Sequence, residues 1–509
     1  MIVRTGDTTR GAAVTVDVWA TDTVASGIAG LDTILQGGFV RDRLYLIEGA
    51  PGSGKTTLAL QFLLDGVRRG ESVLYITLSE SAAELRGSAA SHGWSLAGVD
   101  IHEVLPSEQI LQPEEQYSIF HPGDVESRAT TDDILAAVKR ARPRRVVLDS
   151  LSELQLLATS ALLYRRQVLA LKQFFASRNC TTLLLDDKTG SDGDRQVRSV
   201  AHGVIALERI PSEYGGIRRQ IEVIKLRGVA FAEGLHDYRI VTGGLVVYPR
   251  LVAAQTRQAR GYARFSTGVP ALDDMLGGGL EQGTSTLVAG PSGSGKSSLA
   301  TQLVAAALAR GEPVAMFIFD ESAGSFIHRA HGRNVDFAQA VERGRLQLHQ
   351  IDPAQMSPGE FTHSVCAAAD AGARMIVVDS LQGFQRSMPS EKLLATHLHE
   401  LLTYLNQSGV ATVLVGLQHT APAERMAVES SFLADNIIIL HYFEAGGAVC
   451  QAISVYKKRG GEHQRTIRHF RIAASGVEIG AVLTGFRGIL TGTPRLADSE
   501  APALATVDG

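Results

Sequence analysis

Cysteine, aromatic residues and net charge are all scarce in this chain of 509 residues. The three cysteines, Cys180, Cys366 and Cys450, lie far apart, which excludes a C-x-x-C zinc pattern and a disulfide framework. Buried thiols in a reducing compartment are the simpler interpretation. A net charge of −4 excludes a globally basic surface of the kind that binds nucleic acid, although a local basic groove stays open.

Long apolar runs are also missing. No run reaches the roughly 20 residues that a membrane-spanning helix needs. The segment Met1–Val18 carries Arg4 and Asp7 and has no apolar centre, so it does not match a secretory signal. With 45% hydrophobic and 20% charged residues, the composition predicts a globular protein of the cytoplasm, long enough for two or more domains.

Glycine is plentiful, with 52 residues, and two glycine-rich stretches share one pattern. Residues 49–56 and 290–297 both read G-x-x-x-x-G-K-[ST], between a predicted buried strand and a predicted helix. Such a P-loop turns its backbone N–H groups toward phosphate oxygens, and the helix adds its positive end. We predict ATP at Gly49, Gly52, Ser53, Gly54, Lys55, Thr56 and Thr57, and at Gly290, Gly293, Ser294, Gly295, Lys296, Ser297 and Ser298. The Thr56 and Ser297 hydroxyls would bind Mg²⁺.

The P-loops belong to a longer internal repeat. Ser26-Gly27-Ile28-Ala29-Gly30-Leu31-Asp32 returns as Thr267-Gly268-Val269-Pro270-Ala271-Leu272-Asp273, and each phrase begins 29 residues before its P-loop lysine. A period of about 240 residues predicts a duplicated domain rather than a solenoid. The predicted parts are a flexible arm (1–18), a first domain (19–249), a linker (250–264), a second domain (265–487) and a C-terminal loop and disordered tail (488–509).

Each copy also carries acidic residues after predicted strands. Four apolar residues end in Asp149 and in Asp379, which predicts a Walker-B strand whose carboxylate holds Mg²⁺. Another strand in each copy ends at Ser79-Glu80 or Asp320-Glu321, where a carboxylate could polarise a water or a hydroxyl. Strands alternating with helices predict an α/β fold, mostly parallel, with helices on both faces of each sheet.

Each copy closes on a basic signature. Lys225-Leu226-Arg227 and Lys457-Lys458-Arg459 follow apolar runs. One interpretation is a solvated strand end. The other is a set of cations that reaches the phosphates bound by a neighbouring subunit, as an arginine finger does.

Taken together, the repeat, both P-loops, both Walker-B strands and both K-x-R-G signatures resemble the KaiC family of bacterial clock ATPases and autokinases. The resemblance covers about Val24 to Arg495 and implies two tandem RecA-like domains in a double-ring homohexamer. ATP and Mg²⁺ would lie between subunits, with Glu80, Asp320, Glu321, Arg227 and Arg459 as catalytic residues and Asp320 also near the metal. Regulatory proteins or two-component signalling partners are implied; a membrane or nucleic-acid partner is not.

Residue by residue, the match to the family is uneven. Ser79 stands where the family has the first of two acids, and Asp320 is one methylene shorter than the usual base. Ser431 matches the phosphorylated serine, and Ser430 is the alternative acceptor because Phe432 replaces the second one. Ser91, Arg333 and His463 complete the predicted nucleotide contacts.

Three functions therefore stay open from the sequence. The first is an ATPase and autokinase that acts as a clock or signalling switch. The second is a RecA-like motor on DNA, since a fold class does not fix a function. The third is a nucleotide-stabilised signalling scaffold with little catalysis, which Ser79 and Phe432 favour.

Overall fold

The computed structural model describes residues 22–104, 122–187, 197–211, 215–252, 263–331, 335–386, 394–417, 434–473, 476–490 and 494–496. The chain divides into two compact units. The first lobe consists of Met1–Pro211 and Arg218–Pro249, and the second consists of Ser212–Ile217 and Arg250–Gly509. No helix in the described parts of the chain is long and apolar enough to cross a membrane.

The strands of the first lobe are β1 (Thr23–Val24), β2 (Phe39–Val40), β3 (Leu44–Gly49), β4 (Val73–Thr77), β5 (Asp100–Glu103), β6 (Arg145–Asp149), β7 (Thr181–Asp187), β8 (Gly203–Ile210), β9 (Arg218–Leu226), β10 (Leu235–Val241) and β11 (Gly244–Tyr248). Its helices are α1 (Ala29–Ile34), α2 (Lys55–Arg68), α3 (Ala82–Ser91), α4 (Pro122–Ala141), α5 (Leu151–Leu157) and α6 (Ala161–Ala176). Nine strands form one sheet in the order β11-β10-β9-β8-β3-β7-β6-β4-β5.

The strands of the second lobe are β12 (Arg264–Phe265), β13 (Leu280–Glu281), β14 (Ser285–Gly290), β15 (Val314–Ile318), β16 (Leu346–Gln350), β17 (Met375–Asp379), β18 (Ala411–Leu417), β19 (Asn436–Ala445), β20 (Ala448–Lys458), β21 (Ile467–Ala473), β22 (Gly476–Val482), β23 (Phe486–Arg487) and β24 (Arg495–Leu496). Its helices are α7 (Pro270–Met275), α8 (Lys296–Ala309), α9 (Ala323–Ala330), α10 (Phe337–Glu342), α11 (Pro358–Asp370), α12 (Leu381–Arg386) and α13 (Leu394–Gln407).

The two large sheets have the same topology. The second-lobe order, β16-β15-β17-β18-β14-β19-β20-β21-β22, repeats the first-lobe order strand for strand when read from the opposite end. In each, six strands run parallel and three antiparallel strands extend one edge, so the predicted mostly parallel α/β fold of two RecA-like domains is confirmed.

Each sheet has helices on both faces because its strands are apolar on both faces. In β3, Tyr45 and Ile47 pack with α2, whereas Leu44 and Leu46 pack with the α5–α6 side. The alternation follows the two-residue period of a strand. It creates two cores per lobe and leaves the carboxyl ends of the parallel strands as the open edge where ligands bind in such sheets.

A β-bulge lies at the same place in both sheets. The pairing of β8 with β9 shifts between Val204 and Ile205, which leaves Ile224 as the extra residue. The pairing of β19 with β20 shifts between Ile437 and Ile438 and leaves Tyr456 extra. Both extra side chains are exposed, at 40% and 56% of their surface. Each bulge immediately precedes a basic signature.

Candidate nucleotide site in each lobe

The P-loop of each lobe links a buried strand to the first residue of a long helix. Gly54 and Gly295 stand at the helix N-caps with φ of 98°, a left-handed conformation that glycine adopts without strain. A Cβ on Gly49 would lie 2.5 Å from the Leu207 carbonyl oxygen, so only glycine fits there. The loops therefore hold the curved backbone shape that exposes N–H groups to a phosphate.

A test of whether ATP fits comes from one buried hydroxyl. Ser53 Oγ in the first-lobe loop is fully buried and has no hydrogen-bond partner among the described residues, whereas Ser294 Oγ donates to the Pro291 carbonyl at 2.8 Å. An unpaired buried hydroxyl is costly, and a ligand oxygen would satisfy it. Together with the glycine cradle, this hydroxyl fits a nucleotide phosphate.

The P-loop lysines are placed alike but have different partners. Lys55 Nζ donates to the Gly49 carbonyl at 2.7 Å and forms an ion pair with Asp187 at 2.7 Å. Lys296 Nζ donates to the Pro291 carbonyl at 2.6 Å, and burial lowers its pKa. The first lobe thus neutralises its lysine with a carboxylate at the end of β7. At the same register in β18 the second lobe has Leu417.

The Walker-B carboxylates lie beside the P-loop hydroxyls, as the motifs predict. Thr56 Oγ1 donates to Asp149 Oδ2 at 3.3 Å, and Tyr75 OH donates to the same oxygen at 2.5 Å. Burial raises the pKa of Asp149, and burial also raises the pKa of Asp379, against a hydrogen bond from Ser297. A carboxylate and a hydroxyl in this arrangement suit a hydrated Mg²⁺, which would add the positive charge that each buried carboxylate lacks.

The acids that follow β4 and β15 lie at the carboxyl edge of the sheet in their own lobe, as the Walker-B aspartates do. Glu80 follows β4, and Thr77 fixes its backbone by accepting from the Glu80 N–H at 3.0 Å and donating to its carbonyl at 2.7 Å. Burial raises the pKa of Glu80, and nearby Asp149 adds to the effect. In the second lobe Asp320 Oδ2 accepts from Ser380 Oγ at 2.7 Å, and Glu321 pairs with Arg329.

The second-lobe residues line one cavity of about 500 Å³. Its lining includes Gly293, Gly295, Lys296, Ser297, Ser298, Asp320, Glu321, Arg329 and Asp379. Eight of these nine are residues that the sequence analysis assigned to nucleotide, metal or catalysis; Ser292, Ser380, Gln382, Val415 and Ile472 complete the lining. This volume accommodates a ligand the size of a nucleotide.

The cations of the basic signatures contact other parts of their own lobes. Lys225 Nζ donates to the Arg198 carbonyl at 2.5 Å, and Arg227 donates to the Ser199 carbonyl at 2.9 Å. Arg459 forms an ion pair with Asp435 at 3.1 Å.

The remaining predicted residues divide into three groups. The Lys458 ammonium points into its own lobe, donating to the Leu276 carbonyl at 2.6 Å, and the Leu226 side chain is in the core. Ser91 ends α3 and donates to the Ser88 carbonyl, and burial lowers the pKa of His463 in the segment after β20. Arg333, Ser430 and Ser431 lie outside the described residues.

Sequence reasoning missed several side chains of these sites, among them Tyr75, Asp187, Arg329 and Ser380. Asp187 ends a strand directly beside the P-loop strand, and that position is itself the signal that could have identified it. Tyr75 and Arg329 lie within a strand and a helix, where nothing in the local pattern distinguishes them from core and surface residues.

Two P-loops on two copies of one open sheet, each with a Walker-B aspartate in contact range, define a tandem P-loop ATPase. Comparison with known proteins narrows this class to one family. The family described as "ATPase: KaiC" matches residues 24–252 and 265–483, and the chain belongs to it. It is similar to the circadian clock oscillator protein KaiC of Thermostichus vulcanus, with 27% identity over 94% of this chain and 93% of the relative. KaiC of Synechococcus elongatus is 28% identical over 92% and 91%.

Proposed function

We propose that this chain is an Mg²⁺-dependent ATPase and serine autokinase that works as a clock or signalling switch. Its copies would form a double-ring homohexamer. The first lobe would hydrolyse ATP with Glu80, and the second would transfer the γ-phosphate to Ser431, or to Ser430, of a neighbouring copy. Arg227 and Arg459 would stabilise the transition-state charge from the adjacent subunit.

One observation carries the proposal: the second-lobe cavity joins a P-loop lysine to two carboxylates. Lys296 would neutralise the phosphates, and Asp320 would accept the proton of the serine hydroxyl. Asp320 is suited to that role because Ser380 fixes one of its oxygens at 2.7 Å.

The test is mass spectrometry of the purified full chain after incubation with Mg-ATP, beside a Lys296→Ala variant. We expect phosphate on the peptide that contains Ser430 and Ser431, and none in the variant. Ser430→Ala and Ser431→Ala variants identify the acceptor. Size-exclusion chromatography with light scattering, with and without ATP, tests the hexamer.

Three other outcomes would replace the proposal. Hydrolysis without phosphoserine would leave an ATPase switch. Bound ATP with negligible turnover would support the scaffold. DNA-stimulated turnover that falls steeply with salt would support the motor.

A further inference from the structure

Glu321 is held on both of its oxygens by one arginine. Arg329 Nη2 lies 2.5 Å from Glu321 Oε1, and Nε lies 3.3 Å from Oε2. A planar guanidinium that meets both oxygens of a carboxylate forms the most directional ion pair available to proteins. The pair lines the second-lobe cavity beside Lys296 and Asp379.

Arg329 is itself fixed by two helices. It lies near the end of α9, with its guanidinium carbon 5.5 Å from the ring centre of the fully buried Phe326. Its Nη1 lies 3.4 Å from the hydroxyl of Thr301 in α8, the helix that starts at Lys296. The arginine therefore belongs to the frame of the site and not to a surface loop.

The two acids are consequently unequal. Both Glu321 oxygens accept from a cation, whereas Asp320 accepts from a neutral hydroxyl through Oδ2. Among the described residues, Asp320 Oδ1 accepts no hydrogen bond. A proton acceptor needs a lone pair directed at the substrate hydroxyl, and Asp320 has one available.

In the first lobe a serine occupies the position that matches this arginine. Glu80 and Glu321 each stand eight residues before the matching helix position, which is Ser88 in the first lobe and Arg329 in the second. Ser88 cannot pair with a carboxylate as an ion. Among the described residues, the single acid of the first lobe has no arginine partner, whereas one of the two acids of the second lobe is neutralised by Arg329.

We propose that Arg329 is a positioning residue that sequesters Glu321 and thereby assigns proton acceptance in the second lobe to Asp320. The inference rests on the proposed phosphoryl transfer. Its physical content is that the arginine removes one of two chemically similar bases, so that the site has a single defined acceptor.

The test uses the full chain with Lys55→Ala, which silences the first lobe, and measures the initial rate of phosphate transfer from ATP to the peptide that contains Ser430 and Ser431. Asp320→Asn is expected to lower this rate at least 100-fold. Adding Arg329→Ser, the first-lobe residue, releases Glu321, and the double variant is expected to be at least 10-fold faster than Asp320→Asn. A double variant no faster than Asp320→Asn overturns the inference. If Arg329 had only a structural role, its removal could not supply a new base.

A second readout is nucleotide affinity, measured by titrating each variant with a fluorescent ADP analogue and Mg²⁺. Arg329→Ser is expected to bind within about 3-fold of its parent, since the guanidinium is engaged by Glu321. A loss of 10-fold or more would make Arg329 a phosphate ligand and overturn the inference. Arg310→Ser is the matched control: it removes another arginine–glutamate pair, with Glu312, outside the cavity.

Failure of the two ideas can be told apart. A Lys55→Ala parent without phosphoserine would defeat the proposed function, and the affinity measurement would still decide the role of Arg329. Circular dichroism of each variant confirms that the fold is retained.

Discussion

The two lobes share a backbone and differ in how charge is paired on it. The first lobe pairs its P-loop lysine with Asp187 and has a single acid, Glu80. The second pairs one of two acids with Arg329 and leaves Lys296 without a carboxylate partner among the described residues. The strand order and the P-loop conformation are common to both lobes. Duplication has therefore kept the scaffold and changed the electrostatics, which is where the lobes can acquire separate tasks.

The contrast extends into the interior. Arg145 of the first lobe is 1% exposed, forms ion pairs with Asp65 and Glu71, and donates to the carbonyls of Ala25 and Phe62. The matching β17 position in the second lobe holds Met375, which packs in an apolar core. The residue that matches Asp65 in α8 is Ala306. The first lobe packs this region with a cluster of ion pairs, whereas the second lobe packs it with apolar side chains.

The largest expected effect comes from removing Arg145 from its ion pairs with Asp65 and Glu71. Arg145→Met removes the buried cation of this cluster and leaves Asp65 with the exposed Arg68 and Arg69 and Glu71 with Arg41, so we expect the first lobe to lose about 3 kcal/mol of unfolding free energy. Arg145→Met with Asp65→Ala reproduces the second-lobe pair and should recover about half of that loss. Urea unfolding followed by tryptophan emission reports the first lobe, because Trp19 and Trp94 are the only tryptophans in the chain. A double variant as unstable as Arg145→Met would show that the lobes are not interchangeable here.

Next in size is the loss of the single acid. Glu80→Gln, in a Lys296→Ala background that silences the second lobe, is expected to lower ATP turnover by about 100-fold or more, because no second acid follows β4. Glu321→Gln, in a Lys55→Ala background, should cost less than about 10-fold because Asp320 remains. Phosphate release measures the first variant, and phosphate transfer to the peptide that contains Ser430 and Ser431 measures the second. Equal losses would erase the proposed contrast between one-acid and two-acid sites.

The lysine partners give a smaller, reciprocal effect. A phosphate must displace Asp187 from Lys55, so Asp187→Leu should raise the affinity of the first lobe for ATP about 10-fold, equivalent to about 1.4 kcal/mol. Leu417→Asp should lower the affinity of the second lobe by a similar factor. Titration with a fluorescent ATP analogue, with the other P-loop lysine replaced by alanine, measures each. Tighter binding after Leu417→Asp would contradict the argument.

The smallest effect concerns acid sensitivity. His202 of the first lobe occupies the position of Asp435 in the second, and burial together with Arg43 and Lys172 lowers its pKa to about 4. The unfolded chain takes up the proton near pH 6.5, whereas the folded lobe resists until about pH 4. The stability that the neutral His202 imidazole contributes is therefore fully present above pH 6.5 and is lost as the pH drops from 6.5 toward 4.

We expect the parent to lose about 1 kcal/mol more than His202→Gln between pH 7 and pH 5, a modest figure because His202 is only half buried and solvent screens part of the effect. Urea unfolding at both pH values, followed by tryptophan emission, measures the difference. Parallel losses in the two proteins would show that His202 does not set the acid sensitivity of the lobe.

Much of both lobes is predictable from local sequence. The P-loops, the Walker-B strands and the alternation of strands and helices are short-range patterns with a fixed chemistry. The charge partners are not predictable in this way: Asp187 lies 132 residues from Lys55, and Arg145 lies 80 residues from Asp65. Such pairs depend on strand order, and the second lobe shows that the same order tolerates Leu417 and Met375.

The β-bulge ahead of each basic signature shifts the inward–outward alternation of the side chains by one residue. Before the bulge, Ile221 and Val223 face the core; after it, Leu226 does, and the odd-numbered Lys225 and Arg227 leave the face they would otherwise occupy. In β20 the same shift turns Lys458 inward and Arg459 outward. Straightening the strand with Ile224 or Tyr456 kept in the ladder would turn Arg227 or Arg459 toward the core, whereas the bulge takes up the extra residue and keeps the arginine outward. One unpaired residue thus determines whether each lobe presents a cation to its surroundings or buries it.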